Sequence, residues 1–230
     1  MKNTSNKLLL VEGYGDKHFI EQFLQFEQLN LSLNIQVVLP AELALTTPNT
    51  AVRIQNSKQG IMNVLGYAIE DLPQGRYTHI GALMDMDFHQ SPKRTIQQQN
   101  IDQLSDVCEQ YGFRLRQPVE PSHGLVFEHI DFNPIGVWLM PNNQDEGYLE
   151  TWLKLTLNPN QLTQWQQIEQ FIESFDKEHF KPQAFDKAKV YTWLATQSKP
   201  TQDISKALNL VNQDNIIYQN FKNWLITTFQ

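Results

Sequence analysis

Carboxylates follow the first predicted strand, where an α/β sheet delivers side chains to a ligand site. Glu12 comes directly after the aliphatic residues 8–11, and Asp16 lies four residues later, beyond a glycine turn. A carboxylate that follows four aliphatic residues needs a partner, whereas Asp16 could equally be no more than a cap for the next helix. Because the carboxyl ends of parallel strands border the ligand crevice, we expect both side chains to face it.

A second acidic motif, Asp85-Met86-Asp87, ends another predicted strand. Side chains alternate along extended backbone, so the two aspartates are expected to point the same way. Their charges would repel and raise one pKa unless a cation lies between them. Oxygen ligands of this kind suit Mg²⁺ or Mn²⁺. One Asp-x-Asp motif is a weak signal, and Glu12 on a neighbouring strand strengthens it.

The elements that position these acids alternate between short apolar runs and longer helical patterns. Strands are predicted at 7–11, 35–39, 51–55, 78–84, 125–130 and 135–140. Helices are predicted between them at 16–30, 57–72 and 91–112. This alternation predicts an α/β fold with a mostly parallel sheet flanked by helices. The short spacing of the last two strands indicates an antiparallel pair at one side of the sheet.

After residue 141 the pattern becomes helical. Helices are predicted at 146–157, 160–175, 184–195, 202–211 and 218–228. The chain is therefore expected to consist of an α/β core over 1–141 and a helical extension over 142–230. We expect the extension to pack on the core and complete the site. Its four tryptophans are expected to be core anchors: Trp152, Trp165, Trp193 and Trp224.

Composition excludes several classes of protein. The 230 residues include 40% apolar residues, which is enough for a core and argues against disorder. No apolar run is long enough to cross a membrane, and the first residues lack a signal-peptide pattern, so a cytoplasmic protein is expected. Cys108 is the single cysteine, which excludes an internal disulfide. The 18 basic and 25 acidic residues give a charge of −7, which argues against bulk-charge binding of nucleic acid.

Together, these motifs resemble the Toprim fold, a Rossmann-like α/β sheet found in topoisomerases, primases and small nucleases. The segment LLVEGYGDKHF at 9–19 is similar to the form found in nucleases of the overcoming-lysogenization-defect type. The later segments resemble a family of stand-alone Toprim proteins. They are DMD at 85–87 with Arg94 downstream, GVWLMPNN at 136–143, GYLE at 147–150, KAKVYTWL at 187–194 and FKNWL at 221–225. The asparagines at 142–143 stand where that family often has an acid.

The resemblance implies a metal site. Glu12 would be an acid/base or metal-contacting residue, and Asp85 and Asp87 would hold a divalent ion. Asp16 would help to hold a second ion, with Glu150 in support. Glu150 could equally be an exposed helix residue.

The resemblance also implies a late catalytic lysine, which would be Lys187 or Lys189. These two residues lie on opposite faces of the predicted helix, so at most one is expected to point inward. Two ions could activate water and stabilise the leaving oxygen of a phosphoryl displacement. The lysine would offset the charge that develops on the phosphate.

Two functional hypotheses follow. The first is a Mg²⁺- or Mn²⁺-dependent nuclease that hydrolyses DNA or RNA, and the resemblance suggests a role in phage defence. The second is a metal-binding Toprim module without hydrolytic activity, which binds a nucleotide or a protein. Because the chain is acidic, we expect weak substrate binding by the protein alone, with a protein partner or homo-oligomer possible and no membrane association.

Overall fold

The computed structural model describes residues 5–38, 57–88, 95–175, 184–200 and 203–230. Within these segments, six strands form one sheet in the order β2-β1-β3-β6-β5-β4. They are β1 Lys7–Val11, β2 Asn34–Val37, β3 His79–Asp85, β4 Arg114–Leu115, β5 Leu125–Glu128 and β6 Ile135–Met140. The pairs β1–β2, β1–β3 and β3–β6 are parallel, whereas β5 is antiparallel to both β6 and β4. The predicted mostly parallel α/β sheet with an antiparallel pair at one side is confirmed.

Seven α-helices lie in the described residues. They are α1 Tyr14–Phe26, α2 Ser57–Glu70, α3 Ile96–Glu109, α4 Leu149–Thr156, α5 Leu162–Glu173, α6 Phe185–Ala195 and α7 Ile216–Phe229. The helix predicted at 202–211 is a 3-10 helix over Ile204–Leu210, and the Asp203 side chain caps it by accepting a hydrogen bond from the Ser205 N–H. The strand predicted at 51–55, the helix start at 91–94 and Arg94 lie outside the described residues.

The alternating side chains of β1 divide between two apolar cores, one on each face of the sheet. Leu8 and Leu10 pack with α2 and α3, whereas Leu9 and Val11 pack with α1 and the helices that follow β6. The four predicted tryptophan anchors are buried in this second core, which confirms that prediction. Phe221 of α7 lies 5.8 Å from Phe19 of α1 between ring centroids, so both ends of the chain share one core.

Helix α7 packs directly on the strands that carry the acids. A β-carbon at Gly81 of β3 would overlap the ring of Phe229, and one at Gly136 of β6 would overlap Thr228. These glycines let the helix lie close against the sheet, so the strand ends sit on a well-packed base. Within the described segments, every helix is too short or too polar to cross a bilayer.

Candidate metal centre

Two of the predicted acids meet where β1 and β3 end side by side. Val11 is paired with Leu83, so the residues after β1 lie beside the end of β3. The Glu12 carboxylate accepts a hydrogen bond from the Asp85 backbone N–H at 2.9 Å. The adjacent strands therefore bring Glu12 and Asp85 together across a sequence separation of 73 residues.

Asp16 has both of the roles predicted from its position, as a cap of the first helix and as one of the clustered acids. Its carboxylate accepts a hydrogen bond from the Gly13 N–H at 2.8 Å and so caps the start of α1. Burial raises the pKa of Asp16 to about 7, and the charges of Glu12 and Glu150 add to this effect. The hydrogen bond from Gly13 and the charge of Lys187 act in the opposite direction. Asp16 is thus both a helix cap and a member of a group of like charges.

Asp85 lies at the centre of that group. Burial raises its pKa well above the ordinary aspartate value, and the charges of Glu12, Asp16, Glu150 and Asp87 raise it further. We call Glu12, Asp16, Asp85 and Glu150 the acidic crevice. Its carboxylates repel one another, so a cation that entered the crevice would relieve that repulsion.

Glu150 reaches the crevice because α4 begins beside the end of β3. Asp87 and Gly147 form an antiparallel bridge, with hydrogen bonds of 3.2 and 3.1 Å between their backbones. Gly147 has a φ of 144°, and a β-carbon there would overlap Thr151, so this turn requires glycine. Glu150 then follows in the first turn of α4, where only 8% of it is exposed. The alternative of an exposed helix residue is therefore wrong for Glu150.

The two aspartates of the Asp-x-Asp motif do not continue one extended strand. Strand β3 ends at Asp85, and Asp87 has a left-handed φ of 67°. The predicted alternation of side chains therefore stops before Asp87 because the backbone turns into its bridge with Gly147. One Asp87 carboxylate oxygen, Oδ2, lies 2.6 Å from the ammonium of Lys58.

Sequence reasoning missed Lys58, which lies on α2. Only 7% of this residue is exposed, and its ammonium also donates to the Asn100 side chain at 3.1 Å. A signal was present in the sequence, since Lys58 lies at helical spacing from the buried apolar residues Met62 and Leu65. A lysine in register with an apolar stripe needs a counter-ion, and the partly exposed Asp87 provides it.

The two late lysines, Lys187 and Lys189, have different surroundings. The Lys187 ammonium lies 4.9 Å from the centroid of the Tyr148 ring, and its charge acts on Asp16. A hydrogen bond of 2.7 Å from Thr151 to Asp186 ties α6 to the start of α4 beside the crevice. Lys189 is buried instead and lies 3.0 Å from Glu169 and 2.7 Å from Glu173. Lys187 is therefore the late lysine nearest to the candidate site.

The asparagines after β6 are structural. The Asn143 side chain accepts a hydrogen bond from the Leu139 N–H at 2.7 Å and donates one to the Pro121 carbonyl at 2.8 Å. The side-chain oxygen of Asn142 accepts hydrogen bonds from the backbone N–H groups of Gln144 and Asp145. Both asparagines are thus engaged in holding the loop that leads to α4.

The acidic crevice offers oxygen donors of the kind that Mg²⁺ or Mn²⁺ prefers. Among the described residues, however, no three His, Cys, Asp or Glu side chains lie close enough together to hold an ion as they stand. The donor chemistry and the mutual repulsion fit a divalent cation, and the carboxylates would need to draw together around it. Glu12, Asp16, Asp85 and Glu150 are the residues that would hold it.

Comparisons with known proteins give one family. A family model described as "Protein of unknown function (DUF3226)" matches residues 6–230. Neither the curated proteins nor the solved structures contain a match to the chain. The matched region includes every residue of the acidic crevice together with Lys58 and Lys187.

Proposed function

The chain belongs to the DUF3226 family, and we propose that it is a divalent-metal-dependent nuclease that hydrolyses phosphodiester bonds in DNA or RNA. One observation carries this proposal: Glu12 and Asp85 meet at the carboxyl ends of β1 and β3, Asp16 and Glu150 begin the helices beside them, and burial and like charges raise the pKa of Asp16 and Asp85. Strongly perturbed acids in a crevice are typical of catalytic and metal sites. The resemblance to Toprim nucleases supports the same reaction and suggests a role in phage defence.

The residues at the acidic crevice would have different roles in hydrolysis. Glu12 and Asp85 would hold the ion, with Glu150 in support. A bound divalent ion supplies Lewis acidity toward water and toward a phosphate oxygen. Asp16 would add its carboxylate to the ligands of the ion, which would offset the like charges that raise the pKa of Asp16. The exposed ammonium of Lys187 would neutralise charge on the phosphate.

The surface around the crevice favours a short or single-stranded substrate. The net charge of −7 provides little attraction for a long duplex. Two exposed tyrosines lie near the acids: Tyr14 at the start of α1 and Tyr191 on α6, whose pKa is raised by burial and by Glu150. Tyrosine rings can stack on unpaired bases without a basic surface. Because the chain is acidic, we expect it to bind substrate weakly by itself or to receive substrate from a protein partner.

A cleavage assay tests the proposal. Purified protein is incubated with single-stranded DNA, plasmid and structured RNA in Mn²⁺ or Mg²⁺, beside Glu12→Gln and Asp85→Asn variants. We expect metal-dependent cleavage by the wild type and none by either variant. Asp214→Asn is the matched control, because it removes an exposed acid before α7 and should leave cleavage unchanged. Equal cleavage by all four proteins would assign the activity to a contaminant or another site.

A metal-binding module without hydrolytic activity is the second candidate. It is favoured by the acidic surface and by the fact that the described carboxylates are not gathered into a complete ligand set. This candidate would bind a nucleotide or a protein through the crevice. Tight Mn²⁺ binding that Asp85→Asn abolishes, with no cleavage of any substrate, would favour it over the nuclease.

A further inference from the structure

We propose that Lys58 is the resident counter-ion of Asp87, so that the acidic crevice takes one divalent ion rather than two. This inference rests on the proposed metal-dependent function and assigns a positioning role to Lys58. It concerns the second aspartate of the Asp-x-Asp motif, which the Toprim resemblance would make a metal ligand.

The first support is that each hydrogen-bond donor of the Lys58 ammonium has an acceptor nearby. An ammonium group has three hydrogen-bond donors, and three acceptors surround this one. They are the Asp87 carboxylate at 2.6 Å, the Asn100 side-chain oxygen at 3.1 Å and the Met86 carbonyl at 3.4 Å. Asn100 is only 2% exposed and donates in turn to the Met86 carbonyl at 3.2 Å. Lys58 is thus held in a buried hydrogen-bond network, and from there its ammonium reaches Asp87, whose side chain is 42% exposed.

The second support is that Asp87 is fixed by its backbone as well as by its side chain. Its N–H and carbonyl both bond to Gly147, and its left-handed φ turns it out of the strand that carries Asp85. A metal ion that took Asp87 as a ligand would have to share the carboxylate with a lysine ammonium. If it displaced Lys58, it would leave a buried charge without its counter-ion, which is costly.

The third support is the contrast with Asp85. The neighbours of Asp85 are acidic: the Glu12 carboxylate accepts a hydrogen bond from the Asp85 N–H at 2.9 Å, and Glu150 is buried in the first turn of α4. No salt bridge to Asp85 is present among the described residues, and the nearest late lysine, Lys187, is exposed. The uncompensated charge is therefore on the Asp85 side, where a cation gains most. On the Asp87 side Lys58 already provides the positive charge that a second ion would bring.

Counting bound Mn²⁺ by equilibrium dialysis and calorimetry tests this assignment independently of cleavage. We expect one ion per chain for the wild type and none for Asp85→Asn. Lys58→Met frees the Asp87 carboxylate, so this variant is expected to bind a second ion. The double variant Lys58→Met/Asp87→Asn removes both charges together, and it is expected to bind one ion within about threefold of the wild-type affinity.

The outcomes separate the two proposals. Two ions in the wild type, or loss of an ion in the double variant, would overturn the role of Lys58 and leave the metal-dependent function in place. No ion in the wild type would overturn the proposed function and this inference with it. If Lys58→Met does not fold, as judged by circular dichroism, the charge-neutral double variant carries the test. Asp87→Asn alone leaves Lys58 unpaired and is expected to weaken binding of the single ion about tenfold without changing its number.

Discussion

The acidic crevice and the ion pairs around Lys189 are both partly buried groups of charged side chains. They differ in whether side chains of opposite charge lie among them. In the crevice, burial and like charges raise the pKa of Asp16 and Asp85. Around Lys189, burial alone would raise the pKa of Glu169, but hydrogen bonds and charge from Lys189 and Lys154 outweigh it and lower that pKa. Burial would likewise lower the pKa of Lys189, but Glu173 and Glu169 raise it.

This difference shows why burial of charge does not by itself identify a functional site. The Lys189 group satisfies its charges internally and contributes to packing between α5 and α6. The crevice leaves its charges opposed, which costs stability unless a ligand compensates for it. The following substitutions and changes of pH test whether the Lys189 group has a structural role and whether the acidic crevice binds a cation.

Asp85→Asn is expected to have the largest effect. It removes a metal ligand, so Mg²⁺ affinity should fall by at least about 100-fold. It also removes a repelling charge, so the metal-free variant should melt at a higher temperature than the metal-free wild type. At Mg²⁺ about 100 times the dissociation constant, the wild type should gain about 2.7 kcal/mol of stability, and the variant should gain none.

Thermal unfolding with and without Mg²⁺ checks this prediction. Asp214→Asn is the control and should respond to Mg²⁺ like the wild type. Equal stabilisation of wild type and Asp85→Asn would show that the ion binds elsewhere.

Lys187→Gln is expected to lower the rate of cleavage about 10- to 100-fold while metal affinity stays the same or rises. The reason is that Lys187 contributes positive charge near the crevice but no ligand atom. Steady-state cleavage and Mn²⁺ titration measure the two effects separately. Lys187→Arg should retain more activity than Lys187→Gln. An unchanged rate in Lys187→Gln would remove this residue from the reaction.

The two groups should respond oppositely to pH. The pKa of Asp16 is raised from 3.8 to about 7, so in this window the folded protein keeps a proton that the unfolded chain has released. Stability of the metal-free protein therefore falls as pH rises from about 4 to about 7 and then levels off. The lowered pKa of Glu169 works in reverse, because its contribution is present above the unfolded pKa and is lost as pH falls through the folded pKa.

Urea unfolding without metal at pH 5 and pH 8 measures this effect. Asp16→Asn should reduce the loss of stability between the two values, and saturating Mg²⁺ should offset it in the wild type. A wild type whose stability rises steadily across this range, with no change in Asp16→Asn, would contradict the assignment.

Lys189→Met is expected to have the smallest effect, a loss of about 1–2 kcal/mol of folding stability, because Glu169 and Glu173 lose a buried partner but remain partly exposed to water. Metal binding and cleavage should stay at wild-type levels. Chemical denaturation and the cleavage assay measure the two quantities. Loss of cleavage without loss of stability would transfer the catalytic role from Lys187 to Lys189.

Much of the fold is readable from local pattern. The aliphatic run before Glu12 and the helical spacing of Phe19, Ile20 and Phe23 predict β1 and α1, because a continuous apolar run and helical periodicity each leave a signal within a few residues. The two-residue β4 is too short to leave such a period. The 3-10 helix Ile204–Leu210 has the same polar and apolar composition as an α-helix, so pattern alone does not distinguish them.

The candidate site likewise has residues that the sequence predicts and contacts that it does not. The sequence by itself determined the acids, since Glu12, Asp16 and Asp85 follow from strand ends and a helix start. Only the tertiary structure decided that Lys58 pairs with Asp87, that Glu150 is buried beside Asp85, and that Lys187 rather than Lys189 lies near the crevice. These outcomes depend on how α2, α4 and α6 pack against the sheet, and contacts between residues far apart in the chain leave no period in the sequence.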